Sequence, residues 1–173
     1  MNNFETSKVQ NMSSMFDACS SIKTISYDQK KFTFNSVKDT SYKFKGLSSL
    51  LFLELEYLVA ENLENMSGIF QGLSTISNLN LSKFKPSNLK KMDHTFDSCN
   101  NLYSLKFPLI RTIIVVDISY AFNLCSKLEE LDVSEFNTGS VTNMVFMFNG
   151  CTNLKSLDVS KFLTNNVENM EDM

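Results

Sequence analysis

An α/β repeat fold is predicted for this chain, a solenoid of about six coils with one short strand and one helical turn per coil. Three features predict it: a phenylalanine that returns every 26 residues after a first interval of 28, apolar columns after it, and further apolar columns before it. Self-similarity at a period of about 20–50 residues is typical of stacked repeat architectures. The repeats are centred on Phe16, Phe44, Phe70, Phe96, Phe122 and Phe148.

The strand is predicted downstream of each phenylalanine. The positions six, nine and eleven residues after it are apolar in every copy, as Leu154, Leu157 and Val159 show in the last one. This L-x-x-L-x-L spacing is that of the strand segment of a leucine-rich repeat. Because side chains alternate along a strand, the last two positions point into the core together.

The helical turn is predicted around each phenylalanine. Val141, Met144, Phe148 and Cys151 have the spacing of one face of a short helix, and the other copies repeat it. So short a segment is not stable as a helix by itself, so we expect a single turn that relies on packing.

A polar column lies five residues before the phenylalanine. It holds Asn or Asp in every copy except at Lys91. These side chains hydrogen-bond nearby backbone groups and favour turns, so we expect a ladder at one corner of the coils. The column consists of Asn11, Asp39, Asn65, Asp117, Asn143 and Asn169.

Two segments depart from the repeat. The spacer around residues 26–34 carries two extra residues, and residues 107–116 are more apolar than their counterparts. Ile113 and Ile114 stand where the last copy has Gly139 and Ser140. A contact site or an aggregation-prone surface would fit these residues, but local variation of the core is favoured.

The chain is interpreted as one solenoid domain over residues 1–173, a segment of a longer array with a partial repeat at 163–173. Residues 4–12 match residues 136–144, so the chain opens inside a repeat, and neither end has the polar character of a cap. The alternative is self-stacking of copies through these uncapped ends.

The composition is that of an ordinary globular chain. It is 43% hydrophobic and 20% charged, with a net charge of −3. No basic footprint for nucleic acid is present, and no run approaches the roughly 18 apolar residues of a membrane span. The first residues lack the pattern of a signal peptide, which keeps a cytoplasmic location as an alternative.

Residues capable of chemistry fit structural roles better than catalytic ones. The four cysteines share one column with leucines, so buried thiols are favoured over a disulfide between successive coils, and over zinc because no C-x-x-C occurs. Eight of the nine methionines fall in two core columns. His94, the only histidine, has no recurring catalytic partner. We therefore predict no enzyme activity, no cofactor and no metal site.

The outward face of the predicted strands is the candidate binding surface. The residue between the two core positions of each strand points away from the core by alternation. A solvated sheet face is the alternative to a recognition surface. The candidate residues are Glu54, Asn80, Lys106, Asp132 and Asp158, with Glu130 and Ser156 from a neighbouring column.

The run from Val141 to Phe162 resembles the repeat of BspA-like leucine-rich-repeat surface proteins, and is most similar to the subgroup of mycoplasma-type surface lipoproteins. The resemblance implies a secreted or surface-anchored module for protein binding or adhesion, with a protein or host-surface ligand. The motif positions are structural, so the resemblance implies no ligand-binding residues. A structural, self-associating array or an intracellular scaffold is the alternative function.

Overall fold

Successive repeats lie side by side as parallel coils. In the computed structural model, which describes residues 4–28, 30–55, 59–107 and 112–173, the polar column pairs with its own equivalent in the next coil. Six parallel bridges run in series from the first copy to the last. They join Asn11 to Asp39, Asp39 to Asn65, Asn65 to Lys91, Lys91 to Asp117, Asp117 to Asn143 and Asn143 to Asn169.

Two short strands form the regular secondary structure of the described residues. Strand β1 covers Asn78–Asn80 and strand β2 covers Ser104–Lys106, and they pair in parallel with Leu79 opposite Leu105. In other coils a single backbone bond marks the same place, such as that from Lys155 N–H to the Glu129 carbonyl at 3.1 Å. Within the part of the chain that the structure describes, the strand predicted for each coil therefore forms in the third and fourth coils.

The predicted α/β solenoid with one helical turn per coil is wrong. No helix occurs among the described residues, and the segment around each phenylalanine is a chain of tight turns. Hence no helix in the described part of the chain is long and apolar enough to cross a membrane.

The reason lies in the direction of the backbone N–H groups. An α-helix needs each N–H to bond the carbonyl four residues back. Here every second N–H donates to the next coil instead, and those between donate three residues back. In the first coil, Met12, Ser14, Phe16 and Ala18 donate across at 2.8–3.0 Å, and Met15, Asp17 and Cys19 donate within the coil at 3.1–3.4 Å. Backbone N–H groups that a helix would need for its own hydrogen bonds are therefore already bonded to the next coil.

Left-handed backbone occurs two residues before and two residues after each of the six phenylalanines on which the repeats are centred. Glycine occupies some of these, including Gly72 and Gly150 with φ of 72°, but Tyr42, His94 and Leu124 adopt φ of 52–56°. A side chain in this region costs roughly 1–2 kcal/mol. The paired turns still direct the apolar columns inward, so the helix-like spacing predicted the buried face correctly and the backbone incorrectly.

The recurring phenylalanines form the centre of the core. Neighbouring rings stack from Phe16 to Phe148 with centroids 5.3–6.2 Å apart and nearly parallel planes. The two extra residues of the first spacer accompany Phe32 and Phe34, which are both buried and extend the aromatic core. The core columns read from the repeat are thus confirmed in the second to fifth coils, whereas Val159 and Met170 near the end of the chain are exposed.

The polar ladder is also confirmed. Asn11 Oδ1 accepts a bond from the Ser13 N–H at 2.8 Å, and the same turn recurs in the other Asn and Asp copies. Asn65 also donates to Asp39 of the preceding coil at 3.5 Å. The ladder therefore satisfies backbone groups at the corner where the coils pair.

The apolar segment near residue 113 is not a local variation of the core packing. Ile113 and Ile114 are 52% and 45% exposed, so the prediction that they are core residues is wrong for this pair. Their backbone lies in a turn on the surface, where the last copy has Gly139 and Ser140. Residues 108–111 of the same apolar run lie outside the described residues.

Candidate functional site

The two strands position the centre of the candidate face. Because Leu79 is buried beneath β1, its neighbours Asn78 and Asn80 lie on the opposite, outward side. The parallel register sets Ser104 beside Asn78 and Lys106 beside Asn80. The outward positions of successive coils therefore lie in rows, about 4.8 Å apart.

A shallow groove crosses the second, third and fourth coils on this face. It has a volume of about 380 Å³ and is lined on its outward side by Phe52, Glu54, Asn78, Asn80, Ser104 and Lys106. Three of the predicted site residues, Glu54, Asn80 and Lys106, thus line one depression. Glu54 and Lys106 stand two coils apart with Asn80 between them.

The two charges in the groove are available to a partner. Neither Glu54 nor Lys106 forms an ion pair with another described residue, and both are exposed. The charge of Glu54 affects a neighbouring phenol. The pKa of Tyr27 is raised to about 12, first by the burial of Tyr27 and then by the negative charge of Glu54. The groove is therefore acidic at the second coil and basic at the fourth.

The remaining predicted residues continue the face as an acidic region. Glu130, Asp132, Ser156 and Asp158 are all exposed in the fifth and sixth coils. Asp132 and Asp158 each accept a bond at 2.9 Å from the N–H of the serine two residues on. These serine hydrogen bonds lower the pKa of both carboxyl groups. Both aspartates therefore also hold the turn after the strand segment.

Aromatic side chains beside the groove were missed by the sequence reasoning. Phe52 is 50% exposed and Tyr103 is 54% exposed, and both flank the polar residues. Tyr103 lies with Glu129 and Glu130 around a second hollow of about 190 Å³. A signal was present in the sequence, because the columns seven and eight residues after the phenylalanine hold Ser, Thr, Lys or Glu in most other copies.

His94 belongs to a separate network that the sequence reasoning also missed. Its Nδ1 lies 2.9 Å from Asp97 Oδ2, and its ring stacks on Tyr120 at 4.5 Å, which in turn stacks on Phe146 at 5.0 Å. The sequence contains a signal for this row of rings. His94, Tyr120 and Phe146 are 26 residues apart, and each stands two residues before a repeat phenylalanine.

Asp97 is the buried centre of that network. Gln71 Nε2 donates to Oδ2 at 2.7 Å, and Asn123 Nδ2 and Ser98 Oγ donate to Oδ1 at 2.9 and 3.0 Å. Burial by itself raises the pKa of Asp97, but the bonds from His94, Asn123, Gln71 and Ser98 outweigh it and lower the pKa. The network ties three adjacent coils together.

The cysteines are unpaired thiols, as favoured from the sequence. Cys99 and Cys125 are buried, Cys151 is half-buried, and each Sγ lies 3.1–3.2 Å from the carbonyl of the phenylalanine one coil earlier. Burial raises the pKa of Cys99 to about 12. Cys19 is exposed, unlike the prediction for its column. The described residues contain no cluster of three potential metal ligands.

Comparison with known proteins gives one result. A family model described as "Mycoplasma protein of unknown function, DUF285" matches residues 1–78, 44–107 and 106–173, and so covers the whole chain in three overlapping segments. No curated protein matches the chain, and neither does any solved structure.

Proposed function

The chain belongs to the DUF285 family of mycoplasma proteins, and we propose that it is a non-enzymatic repeat module that binds a protein partner through its outward strand face. The observation that supports this most is the groove over the second to fourth coils. It combines the anion of Glu54 and the cation of Lys106, neither of which is ion-paired with a described residue, with an exposed ring at Phe52.

A protein surface suits this combination of groups. The charges of Glu54 and Lys106 are separated by two coil spacings, roughly 10 Å, and an extended segment of a protein partner can contact both of them together with Phe52. Interfaces draw most of their binding energy from a few aromatic and charged side chains surrounded by weaker contacts. Oppositely charged ends would also orient the partner along the stack.

The absence of enzymatic activity is supported by the use of the reactive groups. The Nδ1 of His94 is engaged by Asp97, and its ring is stacked on Tyr120. Cys99 and Cys125 are buried with pKa values raised by burial, which disfavours the thiolate that a nucleophile requires. These groups contribute to packing between coils.

The resemblance to BspA-like surface proteins extends the proposal to location and partner. We propose display at the cell surface, where the ligand is a host-surface protein and binding results in adhesion. The acidic continuation of the face over Asp132 and Asp158 would then favour a partner with a basic region beyond the groove.

Selection of a peptide ligand tests the face directly. The full chain is panned against a phage-displayed random-peptide library, and the affinities of selected peptides are measured for the wild type, Phe52→Ser and Lys106→Glu. We expect each substitution to weaken binding about tenfold or more, as for residues at the centre of an interface.

A matched control separates the face from overall charge. Lys83→Glu makes the same charge change at an exposed position outside the groove, and should alter affinity by less than about twofold. Equal losses from Lys106→Glu and Lys83→Glu would show that only net charge matters. Unchanged binding by both Phe52→Ser and Lys106→Glu would reject the groove as the binding site.

A further inference from the structure

The groove on the outward strand face is a trough between two rows of side chains. Its walls are the outward positions of the second to fourth coils, namely Phe52, Asn78 and Ser104 on one side and Glu54, Asn80 and Lys106 on the other. Within a coil the two rows are two residues apart, which is about 6.6 Å along a strand. Leu53 and Leu79 lie between the rows and are buried, so the floor lies over their backbone. The groove is therefore narrow and runs along the stack of coils.

The charges of Glu54 and Lys106 stand in the same row of this groove. They are separated by two coil spacings, roughly 10 Å, and neither is ion-paired with another described residue. A partner that complements both charges must present a basic and an acidic group about 10 Å apart on one side of its chain. This requirement limits the backbone conformation of the partner.

A polyproline II helix is the regular conformation that meets this spacing in so narrow a groove. In a β-strand, residues on one side are about 6.6 or 13 Å apart, and residues about 10 Å apart point to opposite sides. An α-helix places residues seven positions apart on one side at about 10.5 Å, but its diameter of about 10–12 Å exceeds the distance between the rows. A polyproline II helix has three residues per turn and a rise of about 3.1 Å, so residues three positions apart lie on one side at about 9.3 Å.

The walls of the groove also suit a polyproline II segment. Such segments dock on exposed aromatic rings, and the ring of Phe52 is 50% exposed in the wall facing Glu54. Their backbone has no internal hydrogen bonds, so its polar groups can bond to the walls of a groove. Asn78 lies midway along one wall and donates one side-chain N–H to Ser77 Oγ at 2.9 Å, and an amide carries a second N–H and an accepting oxygen.

We propose that the groove binds a polyproline II segment of the partner protein in which a basic and an acidic residue stand three positions apart. The inference rests on the proposed function, because it specifies the ligand of the same face. The basic residue lies beside Glu54, the acidic residue lies beside Lys106, and a proline next to the basic residue packs on Phe52. The segment runs parallel to the stack and crosses three coils.

Synthetic peptides with a preset conformation test the spacing of the charges. Each peptide is a proline chain that carries one arginine and one glutamate, in either order, separated by one, two or three prolines. Fluorescence anisotropy measures their affinity for the full chain. In at least one of the two orders, the two-proline spacer should bind about tenfold more tightly than the other spacers, because those turn one charge away from the groove.

A variant and a further peptide separate the charges from the conformation. Lys106→Glu should reverse the preference, so that a peptide with two arginines three positions apart binds better than the arginine–glutamate peptide. Lys83→Glu, at an exposed position outside the groove, should leave the preference unchanged. Replacing the two spacer prolines by glycines keeps the sequence spacing but removes the preset helix, and should weaken binding about fivefold or more.

The outcomes distinguish this inference from the proposed function. Equal affinity for all three spacers, equal affinity for the glycine peptide, or no measurable binding of the two-proline peptide would overturn the polyproline II ligand. If library-selected peptides still lost affinity through Phe52→Ser and Lys106→Glu, the face would remain the binding site. If those peptides bound both variants unchanged, the proposed function itself would fail.

Discussion

Replacing Asp97 by asparagine should destabilise the protein more than its conservative shape suggests. The carboxylate is 6% exposed and accepts hydrogen bonds from four side chains. An amide can keep one accepting oxygen but presents a donor in place of the other. Two donors, either those of Gln71 and His94 or those of Asn123 and Ser98, then lose their acceptor.

The magnitude follows from those two lost bonds. A hydrogen bond to a charged group contributes about 1.5–3 kcal/mol net, and coupled bonds are less than additive. We therefore expect Asp97→Asn to lower the free energy of unfolding by about 2–3 kcal/mol. Asp97→Ala should cost about 3–4 kcal/mol, because it leaves Gln71 and Asn123 without their acceptor.

Urea unfolding followed by circular dichroism at neutral pH measures both values. Asp17 occupies the same column in the first coil and is exposed, so Asp17→Asn is the matched control and should change stability by less than about 0.5 kcal/mol. If Asp97→Asn also stayed within that range, the network would not hold the coils together and the reasoning would be refuted.

The pH dependence gives a second readout of the same network. Because the folded-state pKa of Asp97 is lowered, its stabilisation is fully present above its unfolded pKa, near 4, and is lost as the pH falls through the folded value. The stability difference between wild type and Asp97→Asn should therefore shrink as the pH falls below about 4.

Two further predictions concern the turns and the thiols. Gly46→Ala should lower the free energy of unfolding in urea by about 1–2 kcal/mol, the backbone strain of a side chain at φ of 68°, since no atom lies closer than 3.5 Å to a new Cβ. Gly150→Ala carries the same strain at φ of 72° and should cost more, because its new Cβ would also lie 2.7 Å from Leu124. Titration of the native protein with a chromogenic disulfide should modify Cys19 first, with the buried thiols reacting only after denaturant is added, and immediate reaction of Cys125 would contradict the buried column.

The sequence predicted most of the buried side chains, although Ile113, Ile114 and Cys19 are exposed against expectation. The period of the phenylalanine, the apolar columns and the Asn and Asp ladder all have the positions that the repeat implied, because burial depends on side-chain periodicity. The backbone was mispredicted, since the spacing of Val141, Met144 and Phe148 arises equally from a helix or from turns with left-handed residues. Only the hydrogen bonds between coils distinguish a helix from such turns, and these hydrogen bonds depend on the neighbouring repeat.

The candidate site was predictable in part for a similar reason. Alternation along the strand sufficed to place Glu54 and Lys106 outward. It did not reveal that they share a groove with Phe52, because this requires the register between coils.

The parallel register of the coils underlies the binding face, the ring stack and the aspartate network. Disulfide trapping measures it most directly: cysteines placed at Asn78 and Ser104, in a Cys19→Ser background, lie at paired positions of adjacent strands. We predict rapid disulfide formation for this pair and none for Asn78 with Lys106, whose Cα atoms should lie more than about 7 Å apart. Equal cross-linking of both pairs, or trapping of the second alone, would contradict the stacking of the coils in register.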